Sequence, residues 1–155
     1  MLDILDVVLR LGAAALFGAA IGLNRDLHGK PTGARTLGLV ALGAAVVTLS
    51  TVDAVGQAGA DKGDLSRIMQ GILTGIGFLG AGVIIHEDTG GLVRGLTTAA
   101  CVWVTACIGM MCGIGNWKVL LIAMCFVAAV LFLGGPLERI ARRVWKTPAN
   151  PAPDV

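Results

Sequence analysis

Hydrophobic residues are gathered into five long blocks along this 155-residue chain, and most polar residues lie between the blocks. Each block is about 18 to 20 residues long, and a helix needs roughly 20 residues to cross the hydrocarbon core of a membrane. The pattern therefore predicts an all-α integral membrane protein, a bundle of five transmembrane helices. The predicted spans are Ile4–Leu23, Leu37–Val55, Ile68–Ile85, Leu96–Gly115 and Trp117–Gly135.

Composition agrees with a membrane protein and adds an orientation. Charged residues make up 14% of the chain, against about 25% in soluble domains, and the mean hydropathy is +0.82. Because Lys and Arg accumulate on the cytoplasmic side, the bias predicts an outside N-terminus and a cytoplasmic C-terminus. The predicted cytoplasmic side carries Arg25, Lys30, Arg35, Arg94, Arg139, Arg142, Arg143 and Lys146, and the other side carries Lys62, Arg67 and Lys118.

Two segments follow from this arrangement. Residues 1–136 form the predicted transmembrane domain, and residues 137–155 form a basic cytoplasmic tail. The tail begins as a basic, interfacial segment and ends in a proline-rich stretch that we expect to be disordered. We expect no signal peptide before the first span and no soluble domain after the last span.

The third block contains the string GIGFLG, from Gly75 to Gly80, which matches the G-x-G-x-x-G of dinucleotide-binding loops. Such a loop needs an acidic residue about 20 positions later, and that position is Ala100. The string also lies in the middle of a predicted span, where a phosphate group would sit in hydrocarbon. The nucleotide interpretation fails, and we expect no cofactor.

As parts of a helix, the glycines form two faces. Gly71, Gly75 and Gly82 fall within about 40° of one another, and Gly77 and Gly80 fall on a different side. Since glycine permits close backbone approach within lipid, two such faces predict that span three occupies the centre of the bundle. Leucine at Gly77 or Gly80 should then prevent assembly. The predicted partner faces are the G-x-x-x-G pairs Gly18/Gly22 in span one and Gly109/Gly113 in span four.

Charged residues within or next to the predicted spans include two candidate pairs, Asp6/Arg10 and Asp53/Arg67. Asp6 and Arg10 lie one helical turn apart on span one, which favours a structural ion pair, with a ligand or ion path as the alternative. Asp53, near the outer end of span two, is either an interfacial acid or a partner of Arg67 at the start of span three.

A second polar group collects at the predicted cytoplasmic face. Spans two and four both begin there with an arginine and a threonine, and helix N-termini attract anions. One interpretation is that the threonines cap helices and the arginines anchor the protein to the membrane surface. The other is an anion or partner site, in which Asp26 or Glu87 supplies a counter-charge. The candidate residues of this site are Arg25, Asp26, Arg35, Thr36, Arg94, Thr97 and Thr98.

The sequence offers little for catalysis or metal binding. No histidine lies near a serine or cysteine within a span, so we predict no enzyme and no catalytic residues. The four cysteines read as small buried hydrophobes, and His86-Glu87-Asp88 reads as a helix end, so we predict no metal site. The expected partners are the lipid bilayer and further copies of the chain, and no nucleic acid.

Three segments of the chain resemble the MgtC/SapB family of bacterial inner-membrane proteins. They are Gly18–Ala45, Ser66–Ile84 and Val93–Gly113, which contain G-A-R-T, GIGFLGAG and RGLTTAA respectively. The resemblance implies a five-span bundle in the bacterial inner membrane and a link to magnesium homeostasis, growth at low magnesium, acid adaptation and, in some members, virulence. It also implies association with other membrane proteins, including the F-type ATP synthase. The chain resembles a short form without the C-terminal soluble domain of many members, and it carries Asn24 where many have glutamate.

These observations leave two main hypotheses. The first is a non-enzymatic membrane regulator that acts by helix–helix association with membrane partners and forms a homo-oligomer. The second is a small transporter or channel for an ion or small anion, with a cytoplasmic mouth lined by arginine and threonine. A third, an intramembrane enzyme, has little support. A continuous polar path through the interior would favour transport, and a dry, glycine-packed core would favour regulation.

Overall fold

The computed structural model describes residues 2–58, 62–85 and 95–144, and their side chains except at 57, 58, 62, 85 and 136–144. All regular elements within these ranges are helices, and five of them are long and apolar enough to cross a membrane. The predicted all-α, five-span fold is confirmed. The helices are α1 (Ile4–Leu27), α2 (Ala34–Ala58), α3 (Lys62–Ile85), α4 (Leu96–Ile114) and α5 (Trp117–Val144).

Helix α1 ends in a glycine turn that directs the chain into α2. The N–H of Lys30 donates to the carbonyl of Arg25, and the N–H of Gly29 donates to the carbonyl of Asp26, each over 3.0 Å. This pair of bonds is the Schellman motif, which requires a left-handed residue after the helix. Gly29 supplies it with a φ of 61°. The turn is therefore a consequence of one glycine at the right position.

The packing centre is a contact of three helices around Ala41 of α2. A Cβ on Gly18 of α1 would lie 2.8 Å from the Ala41 side chain, and a Cβ on Gly109 of α4 would lie 2.8 Å from the Ala41 carbonyl carbon. A real Cβ does not fit at either distance. The glycines thus let α1 and α4 close on α2 from two sides, as small residues do in membrane helix pairs.

Helix α4 is the central helix, because it contacts each of the other four. Its buried residues are spread around its circumference and are mostly small, which lets neighbours approach from several directions. They are Thr98, Cys101, Val102, Thr105, Ala106, Ile108, Gly109, Met110, Cys112 and Gly113.

The prediction that span three is the central helix is wrong. Helix α3 packs on α4 and partly on α2, but a Cβ at Gly71, Gly75, Gly77 or Gly82 would meet no atom of the chain within 4 Å. Gly80 comes nearest to a neighbour, with 3.7 Å to the Ala99 side chain. Leucine at Gly77 therefore has space, in contrast to the clash predicted from the sequence.

The two G-x-x-x-G pairs do lie at close helix contacts, but their partner is α2 and not α3. Gly22 of α1 meets Ala34, whose backbone nitrogen would be 2.5 Å from an added Cβ. Gly113 of α4 meets Ala45 and Thr48, at 2.8 and 2.9 Å. The alanines of α2 are thus the surface on which both pairs close.

Helix α5 lies at the edge of the bundle and packs mainly on α4. Among its described side chains Leu120 is fully buried, whereas Phe126, Val130 and Phe132 are exposed on the surface of the bundle. The helix continues past the predicted end of the span at Gly135 to Val144. The basic residues Arg139, Arg142 and Arg143 therefore lie on the same helix as the fifth span.

Candidate functional site

Arg25 is the most deeply buried charged residue that the structure describes, with 2% of its surface exposed. Its Nε donates to the carbonyl of Pro31 over 3.1 Å, its Nη1 to the sulfur of Cys101 over 3.5 Å, and its Nη2 to the hydroxyl of Thr98. All of these acceptors, within the described ranges, are neutral. The guanidinium therefore connects α1, the α1–α2 loop and α4 at one end of the bundle.

The adjacent Asp26 caps the next helix. Its carboxylate accepts a hydrogen bond from the N–H of Ala34 over 2.8 Å, which satisfies one of the free N–H groups at the start of α2. Gly33 lies directly against this carboxylate, and a Cβ there would overlap it. Asp26 thus has a local structural role, and the glycine before α2 makes room for it.

Three further candidates of the predicted anion site line cavities whose lining residues do not include Arg25. Arg35 and Thr36 are exposed and line a groove between α2 and α3. Thr97 lines a different cavity of about 260 Å³ between α1, α4 and α5, whose walls are otherwise apolar or sulfur-containing. Arg94 lies outside the described residues, as does Glu87. The described candidates therefore do not line one common pocket, and anion binding at this end of the bundle stays a prediction.

At the opposite end of the bundle, Arg10 joins α1 to the end of α4. Its Nη2 pairs with the Asp6 carboxylate at 2.9 Å, and its Nη1 donates to the carbonyl of Gly113 over 2.9 Å. That carbonyl belongs to the last turn of α4, where carbonyl groups lack partners within the helix. A cation there also complements the helix dipole. The structure thus supports the interpretation of Asp6 and Arg10 as a structural pair.

Gly115 is the residue that gives Arg10 access to this helix end. It has a φ of 79°, and a Cβ on it would lie 2.7 Å from the Arg10 Cζ. Its N–H donates to the carbonyl of Cys112, and the N–H of Asn116 donates to that of Met111, which completes a second Schellman motif. The sequence did not reveal this contact, although a glycine at the end of a span, as Gly115 is, indicates a helix C-terminus of this kind.

Replacing Gly115 with alanine should therefore lower the free energy of unfolding in detergent micelles by about 1 to 2 kcal/mol, through backbone strain and displacement of Arg10. The matched control is Gly12→Ala in α1, where a Cβ would meet no atom within 4 Å. Reversible unfolding in SDS mixed micelles measures both. Equal midpoints for the two variants would contradict the proposed contact.

Asp53 contacts the N-terminal segment, whereas Arg67 is exposed to the surroundings of the bundle. The N–H of Leu2 donates to the Asp53 carboxylate over 3.4 Å, which joins the N-terminal segment to α2. Arg67 is exposed on α3.

Three threonines have hydroxyl groups within the bundle. The hydroxyls of Thr48 and Thr51 donate to carbonyls one turn earlier in α2, and the buried hydroxyl of Thr105 has no hydrogen-bond partner among the described residues.

These features define the class of protein, a five-helix, multi-pass membrane protein. Its α1–α2–α4 core is packed through glycine and alanine, and Arg25 at one end and Arg10 at the other form hydrogen bonds between its segments. The chain belongs to the MgtC family, whose model matches residues 11–140. This agrees with the resemblance of its three motif-bearing segments.

Relatives from several bacteria are similar over most of the chain. Protein SrpB of Synechococcus elongatus is 41% identical over 153 residues, which cover 93% of this chain and 84% of SrpB. Protein MgtC of Salmonella typhimurium is 42% identical over 143 residues, 92% of this chain and 57% of that protein. Protein SapB of Bacillus subtilis is 34% identical, covering 87% of this chain and 60% of SapB. The chain thus spans less than two thirds of the MgtC and SapB relatives. No solved structure matches.

Proposed function

We propose that this protein is a non-enzymatic inner-membrane protein of magnesium homeostasis, and that it acts through helix–helix association with membrane partners and with further copies of itself. The link to magnesium rests on the family. The observation that carries the mode of action is the unoccupied glycine face of α3, formed by Gly71, Gly75 and Gly82. Small residues at this spacing suit close approach of a second membrane helix, and α3 uses its other faces on α4 and α2.

Two of the charged residues on which the transporter hypothesis rested form contacts within the bundle, which favours this proposal. Both terminal nitrogens of Arg10 and all three nitrogens of Arg25 contact acceptors of the bundle itself, whereas the buried Nε of Arg10 has no partner among the described residues. The two cavities described above are lined almost entirely by apolar side chains. Within the part of the chain that the structure describes, these features fit a dry, packed core better than a polar path.

Self-association tests the proposal without knowledge of the partner. Donor and acceptor fluorophores on C-terminal tags should show energy transfer between copies in liposomes. The double variant Gly71→Leu/Gly82→Leu should weaken association about tenfold or more, since overpacking a close contact costs about 1–3 kcal/mol. Gly12→Leu is the matched control, because that glycine is exposed on α1 and its Cβ would also meet no atom within 4 Å.

Co-purification and flux measurements complete the test. The unmodified protein should retain a stoichiometric membrane partner after mild solubilisation, with the F-type ATP synthase as the first candidate to examine, and the double variant should lose it. Liposomes containing the protein should show no flux of Mg²⁺, H⁺ or inorganic phosphate above empty liposomes. Flux that Arg35→Ala abolishes would replace this proposal with the transporter, and unchanged association of the double variant would exclude the α3 face.

A further inference from the structure

The groove between α2 and α3 that Arg35 and Thr36 line has a volume of about 680 Å³. Its α2 wall runs from Arg35 to Val47, and its α3 wall runs from Ile72 to Leu79. The groove exists partly because two wall positions lack side chains. A Cβ at Gly43 of α2 or at Gly75 of α3 would meet no atom within 4 Å.

The polar lining residues of the groove are confined to one end. Arg35 and Thr36 lie at one end, and all other lining residues are apolar or glycine. No acidic residue is among the lining residues that the structure describes. Asp26, on the same side of the bundle, is held by the N–H of Ala34 and lies outside the lining. A ligand that complements the groove is therefore anionic at one end and apolar over the rest.

The length of the groove selects the kind of ligand. Arg35 and Val47 are twelve residues apart, or about 18 Å at a rise of about 1.5 Å per residue. One leaflet contributes about 15 Å of hydrocarbon, half of a core of roughly 30 Å. The groove thus extends across one leaflet, whereas the groove for a transmembrane helix of a partner would extend across both.

We propose that the α2–α3 groove binds an anionic phospholipid from the leaflet at its Arg35 end. The phosphate of the headgroup contacts the Arg35 guanidinium and the Thr36 hydroxyl, and one acyl chain lies along the apolar walls past Gly43 and Gly75. Arginine suits this role because its planar donors match phosphate oxygens. Gly75 belongs both to this groove and to the glycine face of α3 in the proposed function. Gly71 and Gly82, which test self-association, lie outside the groove lining, so different variants test the two proposals.

Native mass spectrometry of the full chain tests this proposal, after exchange into detergent with equimolar phosphatidylglycerol and phosphatidylcholine. The protein should retain phosphatidylglycerol in preference to phosphatidylcholine by about fivefold, the effect expected of one arginine near an anionic headgroup. Arg35→Gln should remove the preference. Lys30→Gln is the matched control, because Lys30 is an exposed cation of the α1–α2 loop outside the groove.

A second pair of variants tests the apolar part of the site. Gly43→Leu should fill the groove and abolish retention of both lipids, whereas Gly12→Leu, at an equally open glycine on α1, should leave retention unchanged. Circular dichroism and the unfolding midpoint verify that each variant is folded. Equal retention of the two lipids, identical behaviour of Arg35→Gln and Lys30→Gln, or displacement of the lipid by free inorganic phosphate would overturn the proposal. A mass spectrum that shows a dimer without bound lipid, and that loses the dimer in Gly43→Leu, would also overturn it, because a second copy would then occupy the groove.

Discussion

Replacing Gly109 with alanine should destabilise the bundle by about 3 kcal/mol or more, the upper range for overpacking a close-packed core. The added methyl group would overlap the carbonyl oxygen of Ala41 and lie 2.8 Å from its carbonyl carbon. Backbone atoms in mid-helix cannot rotate away as a side chain would. Helices α2 and α4 must therefore separate, and the contact of Gly18 with the other side of Ala41 transmits the shift to α1.

The matched control for this change is Gly77→Ala in α3. Both glycines lie in the interior of apolar helices, but the Cβ at Gly77 would meet no atom within 4 Å. Alanine is favoured over glycine in a helix by roughly 0.5–1 kcal/mol, so Gly77→Ala should be neutral or stabilising. Unfolding in SDS mixed micelles measures both free energies. If the two variants were equally stable, the central position of α4 would have to be abandoned.

Replacing Thr98 with valine should lower the free energy of unfolding by about 1.5–3 kcal/mol, the range for a hydrogen bond to a charged group. Valine has nearly the same shape, but it leaves an N–H of the buried Arg25 guanidinium without the hydroxyl acceptor. Thr98 is 4% exposed and Arg25 is 2% exposed, so water does not replace the lost acceptor. Thr98→Ser retains the hydroxyl and should lose much less stability.

A double-mutant cycle shows whether the loss arises from Arg25. In the Arg25→Met/Thr98→Val double variant the charge and its acceptor are both absent, and apolar groups occupy the site. The double variant should lose less stability than the sum of the two single changes, because Arg25 and Thr98 share one interaction. Additive losses would show that Thr98 acts through packing alone. The same unfolding measurement in mixed micelles applies to all four proteins.

The helices were predictable because an apolar block of span length has few alternatives to a transmembrane helix. The predicted boundaries were less accurate at the polar ends. Helix α3 begins at Lys62 and not at Ile68, and α1 continues to Leu27. Hydropathy reports where a helix is apolar, whereas the helical hydrogen bonds continue into the polar residues beyond.

Local contacts were also predictable, and distant ones were not. Asp6 and Arg10 are one turn apart, so their ion pair follows from helical spacing. The hydrogen bond between Arg25 and Thr98 joins residues 73 positions apart, and the sequence placed both only at the same membrane face. Which of the several arginines there is buried depends on how α1 meets α4. Arg25 faces α4, and Arg35 faces the α2–α3 groove.

By itself the sequence determined the five spans, the motifs of the family and the glycine positions at which helices are able to approach closely. Only the tertiary structure decided which glycines are used. Gly109 closes on Ala41, while Gly71, Gly75, Gly77 and Gly82 of the GIGFLGAG-bearing helix remain uncovered. The reason is that glycine removes an obstacle but supplies no attraction of its own. The contact forms where the opposite helix presents a complementary surface, and here that surface is the row of alanines on α2.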